Sequence, residues 1–427
     1  MKLYLIILFS FLTFVNVSGQ TKALSFEVNG LKVILRPTEK ETVSMAMFYR
    51  GGVMNYESKQ AGIENLALAS AALCGTKNYS VHDYEELADE YGIAIRGSSD
   101  TDYGTIRMNC ISKYVEQGWK LFSDAVMYPI FDQTEFQNTK DKMVSAIYQN
   151  HSDPETRIER MSMQALFHGT PYSMDPLGTD SLVNSYTTTS VKDYYYNQLL
   201  NKNRMFLVVA GKITKEELEK KITTTFAALP AKPYQPAIYL QKEISGERLI
   251  TEQRNIATNY MSCLINAPVM SSPDFHSFVL VINALSGNLN YEIRTKQALS
   301  YAPGATIKTQ QMPYASMYVS TTQPKKSYLA MVDVFKNIRA GRYSQRFLDA
   351  IKKDHRFSYY SHQESSSTIV KDLGEAEVLG DFRMEENMVA NINNVTLQSM
   401  GEAFNKYFKG AMWVYLGDEQ LGRSVFQ

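Results

Sequence analysis

Apolar and polar positions alternate with two different periods along this chain. Near the N-terminus, Phe26 and Val28 alternate with polar neighbours, and so do Leu31, Val33 and Leu35 after Asn29-Gly30. That pattern predicts a β-hairpin with the turn at Asn-Gly. A strand follows in SMAMFYRGG, then a helix in AGIENLALASAALCGTKNYS, rich in Ala and Leu and closed by Gly75. In SVHDYEELADEYG, Ser80 is an N-cap with Asp83 three residues on, and Gly92 ends the helix. Strands are expected in GIAIRGSS and YGTIRMNCI. Helices are expected in VEQGWKLFSDAVMY, in TEFQNTKDKMVSAIYQNH, from Pro154 to about His168, and in SVKDYYYNQLL. PYSMDPLGT reads as a loop, RMFLVVAGKI as a continuous apolar strand, and KEELEKKITTTFAAL as a helix.

The second half repeats this order. RLITEQRNIATNYMSCLINAP predicts a strand pair, PDFHSFVLVINALSG a helix, and YEIRTKQALSYAPGATI a helix and a strand. Then come the strand ASMYVSTTQP, a helix around SYLAMVDVFKNIRAG, and a long helical region from Gln345 to about Gly380. AMWVYLGD closes the chain and parallels FLVVAGKI of the first half. Irregular alternation with hairpins argues for α+β layers rather than a parallel doubly wound sheet. The expected fold is two homologous α+β domains, each a mostly antiparallel sheet packed with helices. The first spans 20–229 and the second 248–427, joined by a proline-bearing linker at 230–247.

The N-terminal residues have the pattern of a signal peptide over 1–19: Lys2, an apolar run from Leu3 to Val17, then Ser18 and Gly19. No cysteine follows the run, which argues against a lipid anchor. No later segment is apolar enough over sufficient length to span a bilayer. The expected location is therefore outside the cytoplasm, in a bacterial periplasm or secreted. Composition narrows the chemistry further. Lys+Arg and Asp+Glu number 44 each, so the chain carries no electrostatic footprint for nucleic acid. Cys74, Cys110 and Cys263 lack metal-ligand spacing and read as buried small hydrophobes. No Ser/His/Asp or Cys/His signature and no phosphate loop is present.

Several stretches together resemble the pitrilysin-type (M16) zinc peptidases, the family of mitochondrial processing peptidase and insulin-degrading enzyme. They are NGLKVILRP with the following RGG, AGIENLA…CGTKNYS, the run from Tyr172 through PLGTDSLVNSYTTTSVKDYYYNQLLNKNRMFLVVAGKI, and EIRTKQALSY. Active members carry H-x-x-E-H on the helix after the glycine. Histidines at i and i+4 share a helix face and bind one zinc, and the glutamate acts as general base. Counted from Gly62, the matching positions here are Asn65, Leu68 and Ala69. Counted back from Gly75-Thr76, they are Leu66, Ala69 and Ser70. The further ligand expected on a later helix falls on Ser145 or Ala146. Neither register supplies zinc ligands or a base. No two of the six histidines fall at i, i+3 or i, i+4. Glu64 is read as a first-turn carboxylate favoured by the helix dipole.

The resemblance also implies an arginine near a helix end with a tyrosine seven residues later, which bind the scissile peptide in a partner's zinc-bearing half. Here they match Arg294 and Tyr301. Thr295, Ala298 and Pro303 depart from the usual pattern, and the glycine-rich loop shrinks to Ser286-Gly287-Asn288. The expectation is a proteolytically inactive subunit with no metal of its own. It would bind extended peptide, with a first-domain sheet edge near Ala94–Thr105, and lend Arg294 and Tyr301 to a zinc-bearing H-x-x-E-H partner. The alternative is a non-proteolytic peptide-binding or scaffold homodimer of the same fold.

Overall fold

The computed structural model describes residues 21–426. The signal-peptide expectation for 1–19 lies outside them. Strands β1 (Leu24–Val28) and β2 (Leu31–Pro37) form the expected hairpin. Asn29 and Gly30 both adopt positive φ, 52° and 76°, as a tight turn between twisted strands requires. The first half continues with β3 (Thr42–Arg50), α1 (Ile63–Leu73), α2 (Val81–Glu90), β4 (Ala94–Ser99) and β5 (Tyr103–Ile111). Then come α3 (Val115–Met127), α4 (Gln133–Ser152), α5 (Pro154–Leu166), α6 (Asp180–Ser185), α7 (Thr188–Tyr194), β6 (Met205–Gly211) and α8 (Lys215–Thr225). Ser80 caps α2 by accepting from the Asp83 N–H at 3.2 Å, as its sequence predicts.

Residues 230–245 carry no regular element. The second half begins at β7 (Gly246–Gln253), followed by β8 (Asn259–Asn266), α9 (Phe275–Leu289), β9 (Gly304–Lys308), β10 (Tyr314–Thr321) and α10 (Pro324–Arg339). The long helical region after Gln345 is two helices, α11 (Gln345–His362) and α12 (Ser366–Val378), because Ser365 restarts the helix as an N-cap. Short helices α13 (Arg383–Glu386), α14 (Met388–Asn393), α15 (Leu397–Tyr407) and α16 (Glu419–Val425) surround the last strand, β11 (Gly410–Gly417).

The two sheets are ordered β1-β2-β6-β3-β5-β4 and β7-β11-β8-β10-β9. Without the extra β1, they match strand for strand. In each, one parallel pair (β2/β6, β7/β11) sits in an otherwise antiparallel sheet. This corrects the expected pairing of β7 with β8. β11 lies between them, as β6 lies between β2 and β3, since each late apolar strand returns to the middle of its sheet.

The halves are interlocked. One face of the first sheet packs on its own helices. The other face, with Ile34, Ala46, Phe48, Phe206 and Val208, packs on Ile369, Val370 and Leu373 of α12 from the second half. Reciprocally, α5 of the first half lies on β8 and β11. Burial on both faces explains why β6 and β11 read as unbroken apolar runs. Gly374 is required by this contact, since a Cβ there would lie 2.0 Å from the Phe48 ring. Ion pairs cross the same seam: Glu377 takes both Lys32 (2.7 Å) and Arg50 (2.6 Å), and Arg157 pairs with Glu252.

Candidate functional site

Helix α1 is capped at its start by Gly62, whose φ of 89° suits glycine, and ends at Leu73, with Cys74 as its C-cap and Gly75 turning the chain beyond it at φ 72°. It packs against α4 and under the edge strand β4. The fold thus brings together the two helices on which the metal-ligand positions of the resemblance fall. Their side chains do not fit a metal. Leu66 and Leu68 are fully buried among apolar neighbours, Ala69 has no donor, and the Ser70 hydroxyl is buried without a partner among the described residues. Asn65 is 9% exposed and donates its amide to the Ser99 carbonyl at 3.0 Å. On α4, the exposed Ser145 hydroxyl donates to the Asp141 carbonyl of its own helix at 2.8 Å, and Ala146 offers nothing. Neutral amide, hydroxyl and hydrocarbon cannot replace two imidazoles and a carboxylate. Among the described residues, no group of three or more His, Cys, Asp or Glu is placed to hold a metal ion.

Glu64 does more than the dipole role read from its position. It does lie in the first turn of α1, but it is completely buried. Its carboxylate takes the Arg204 guanidinium at 2.5 Å and the Tyr194 hydroxyl at 2.9 Å, and Ser99 Oγ lies at 3.5 Å. Arg204, 2% exposed, also donates to the carbonyls of Arg50 and Gln198. This buried cluster ties α1 to β3, β4, α7 and the turn that leads into β6. Spacing could not reveal it, because Glu64 and Arg204 are 140 residues apart.

Arg294 and Tyr301 come together on the opposite half. Arg294 stands on a π-helical stretch, Asn290–Lys296, that continues α9. Ala298 then turns the chain at φ 50°, a left-handed conformation where the family pattern has glycine. The Leu299 N–H bonds the Ile293 carbonyl at 2.9 Å, and the Ala298 N–H bonds the Arg294 carbonyl at 3.2 Å. This reversal places the Arg294 guanidinium over the Tyr301 ring, 4.4 Å from its centroid. Tyr301 is 80% exposed, Arg294 is exposed, and Arg294 has no acidic partner among the described residues. Lys296 instead takes the neighbouring Glu292 at 2.9 Å.

A cleft of about 1240 Å³ opens between the two halves. It runs from the β4–β5 turn past α5 to the β9–β10 turn and the end of α12. Neither Arg294 nor Tyr301 lines it. Asp102 does, and it bonds both sides: it accepts from the Tyr172 hydroxyl at 2.9 Å and from the Gln311 N–H of the second half at 2.9 Å. Burial pushes its pKa up to about 7 against the lowering effect of those two donors. All three cysteines are buried and unbridged, and burial raises each thiol pKa.

Comparison with known proteins agrees with this fold. Two family profiles match in tandem: "Insulinase (Peptidase family M16)" over residues 32–180 and "Peptidase M16 inactive domain" over 186–354. The chain belongs to the M16 family. No curated protein matches its sequence significantly. Among solved structures, a protease from Helicobacter pylori superposes with TM-score 0.84 at 15% identity, covering 93% of this chain and 99% of the other. A peptidase M16 inactive domain from Pseudomonas fluorescens gives 0.81 at 17% identity, covering 93% and 98%. The periplasmic protease PqqL from Escherichia coli gives 0.77 at 11% identity; this chain is covered to 98% but spans only 49% of PqqL. The join between the M16 profiles, at 180–186, falls before β6, so it does not coincide with the structural halves.

Proposed function

We propose that this M16 chain is the non-metal subunit of an exported zinc peptidase. It binds extended peptide jointly with a zinc-bearing H-x-x-E-H subunit and completes that partner's site with Arg294 and Tyr301. The observation that carries this reading is the Arg294–Tyr301 pair: stacked, solvent-facing, and with its guanidinium donors unclaimed by any acid among the described residues. Donors positioned in advance at a developing oxyanion are what a transition-state clamp requires. A clamp of this kind cannot hydrolyse a peptide without the metal and base, and α1 and α4 offer ligands for neither. The periplasmic location named for the PqqL relative and the apolar N-terminal run both support export.

The test is expression of the chain alone and with an H-x-x-E-H subunit from the same genome. Alone, it binds no stoichiometric zinc and cleaves nothing. With the partner, turnover appears, and Arg294→Ala lowers kcat by about 100-fold, the scale of losing one oxyanion donor. Tyr301→Phe lowers it less. Unchanged turnover in both variants refutes the clamp. A stable homodimer that ignores every zinc-bearing subunit establishes the scaffold reading instead.

A further inference from the structure

In the antiparallel pair β4/β5, the Asp100 N–H bonds the Tyr103 carbonyl at 2.7 Å, which makes Asp100–Tyr103 a hydrogen-bonded pair. Such pairs alternate along the ladder, and the register joins Ser99 to Gly104, Gly97 to Ile106 and Ile95 to Met108. Ile95, Gly97 and Ser99 therefore turn their backbone groups away from β5. β4 is the outermost strand, so these are the groups an added peptide strand would need.

Two of the three outward carbonyls are already taken. The Asn65 side-chain amide donates to Ser99 O at 3.0 Å, and the Arg96 guanidinium donates to Ile95 O at 2.9 Å. Between them, Gly97 lies against the α1 backbone so closely that a Cβ would meet the Leu68 carbonyl at 1.8 Å. Ser99 is also tethered through its hydroxyl to the buried Glu64, at 3.5 Å. One register of the resemblance puts the first metal histidine at Asn65, the residue whose amide takes the Ser99 carbonyl.

We infer that Asn65 and Arg96 seal the β4 edge against strand addition, so this half takes up no extended peptide along β4. This deepens the proposed function and rests on it only in taking extended peptide as the ligand. It replaces the docking site near Ala94–Thr105 expected from sequence. The same side chains keep an unpaired edge from joining another chain, a hazard that sheet proteins otherwise limit with charges or bulges.

The experiment is hydrogen exchange on the full chain with a saturating, unstructured Thr/Val-rich peptide as probe. In the wild type, the Ile95, Gly97 and Ser99 amides exchange at the same rate with and without peptide. In Asn65→Ala/Arg96→Ala they become protected by the peptide, and its affinity rises about tenfold, the scale of two restored main-chain hydrogen bonds. Arg96→Ala alone alters an exposed side chain, keeps the fold, and gives a smaller gain. Peptide protection of β4 in the wild type overturns the inference, and so does a folded double variant with no gain. Either result leaves the Arg294 turnover test untouched, so the two ideas fail separately.

Discussion

At the scale of single residues, the closest thing to an active-site remnant on α1 is a carboxylate whose role is structural. Glu64 and Arg204 are both fully buried, and neither can be left alone without stranding a charge. Arg204→Met is expected to cost about 3–5 kcal/mol, read as a lower denaturation midpoint in urea. Glu64→Gln/Arg204→Met together should cost less than the sum of the single changes, because the partner charge leaves too. The missing metal motif was legible from sequence because it concerns residue types at fixed spacing on one helix. The Glu64–Arg204 pair was not, because Arg204, in the turn that leads into β6, is brought beside α1 only by the tertiary fold. Asn65 illustrates the same limit: its type excludes zinc, but its amide's acceptor, Ser99, is set by the packing of α1 under β4.

At the scale of elements, the stretch from α9 to Tyr301 combines a π-helical run with a left-handed alanine. Both are costly backbone states that gather at functional sites. Ala298→Gly should relieve about 1 kcal/mol of strain, less the entropy that glycine adds to the unfolded chain. The expected result is a raised or unchanged midpoint with the Arg294–Tyr301 stack kept. A lowered midpoint would show that the turn is not strained. Helix and strand limits were otherwise close to the pattern reading, since caps such as Ser80 and turn residues such as Asn29-Gly30 act locally. The misses after Gln345 are equally local in cause. Ser365 breaks a run that looks continuously helical, and α13, α14 and α16, of 4, 6 and 7 residues, are too short to show a period.

At the scale of the whole molecule, the exchange of α5 and α12 makes each half depend on the other. Residues 21–245 expressed alone would leave Phe48, Phe206 and Val208 uncovered, and residues 246–426 alone would leave one face of β8 and β11 bare. Neither piece should give a cooperative thermal transition, whereas their co-expression should restore one. The seam also carries a pH signature. Asp102 has a folded pKa of about 7, well above its unfolded value, so the folded state holds the proton more tightly. Its contribution is complete below about pH 4 and is lost as pH rises through about 7. Asp102→Asn mimics the protonated acid, so its stability relative to the wild type should rise between about pH 4 and 7 in urea titrations. The nearby groups that raise the Asp102 pKa, Asp100 and Glu375, remain in that variant.

By itself the sequence determined the repeat, the α+β layering, the family resemblance, and the absence of histidine and carboxylate at the positions that match the metal motif, since each depends on residue type and short-range spacing. Only the tertiary structure decided that β11 parts β7 from β8, that the halves trade helices, that Glu64 is paired and buried, and that Asn65 bonds the Ser99 carbonyl of β4. Those facts rest on contacts between residues far apart in the chain, where periodicity carries no information about which surfaces meet.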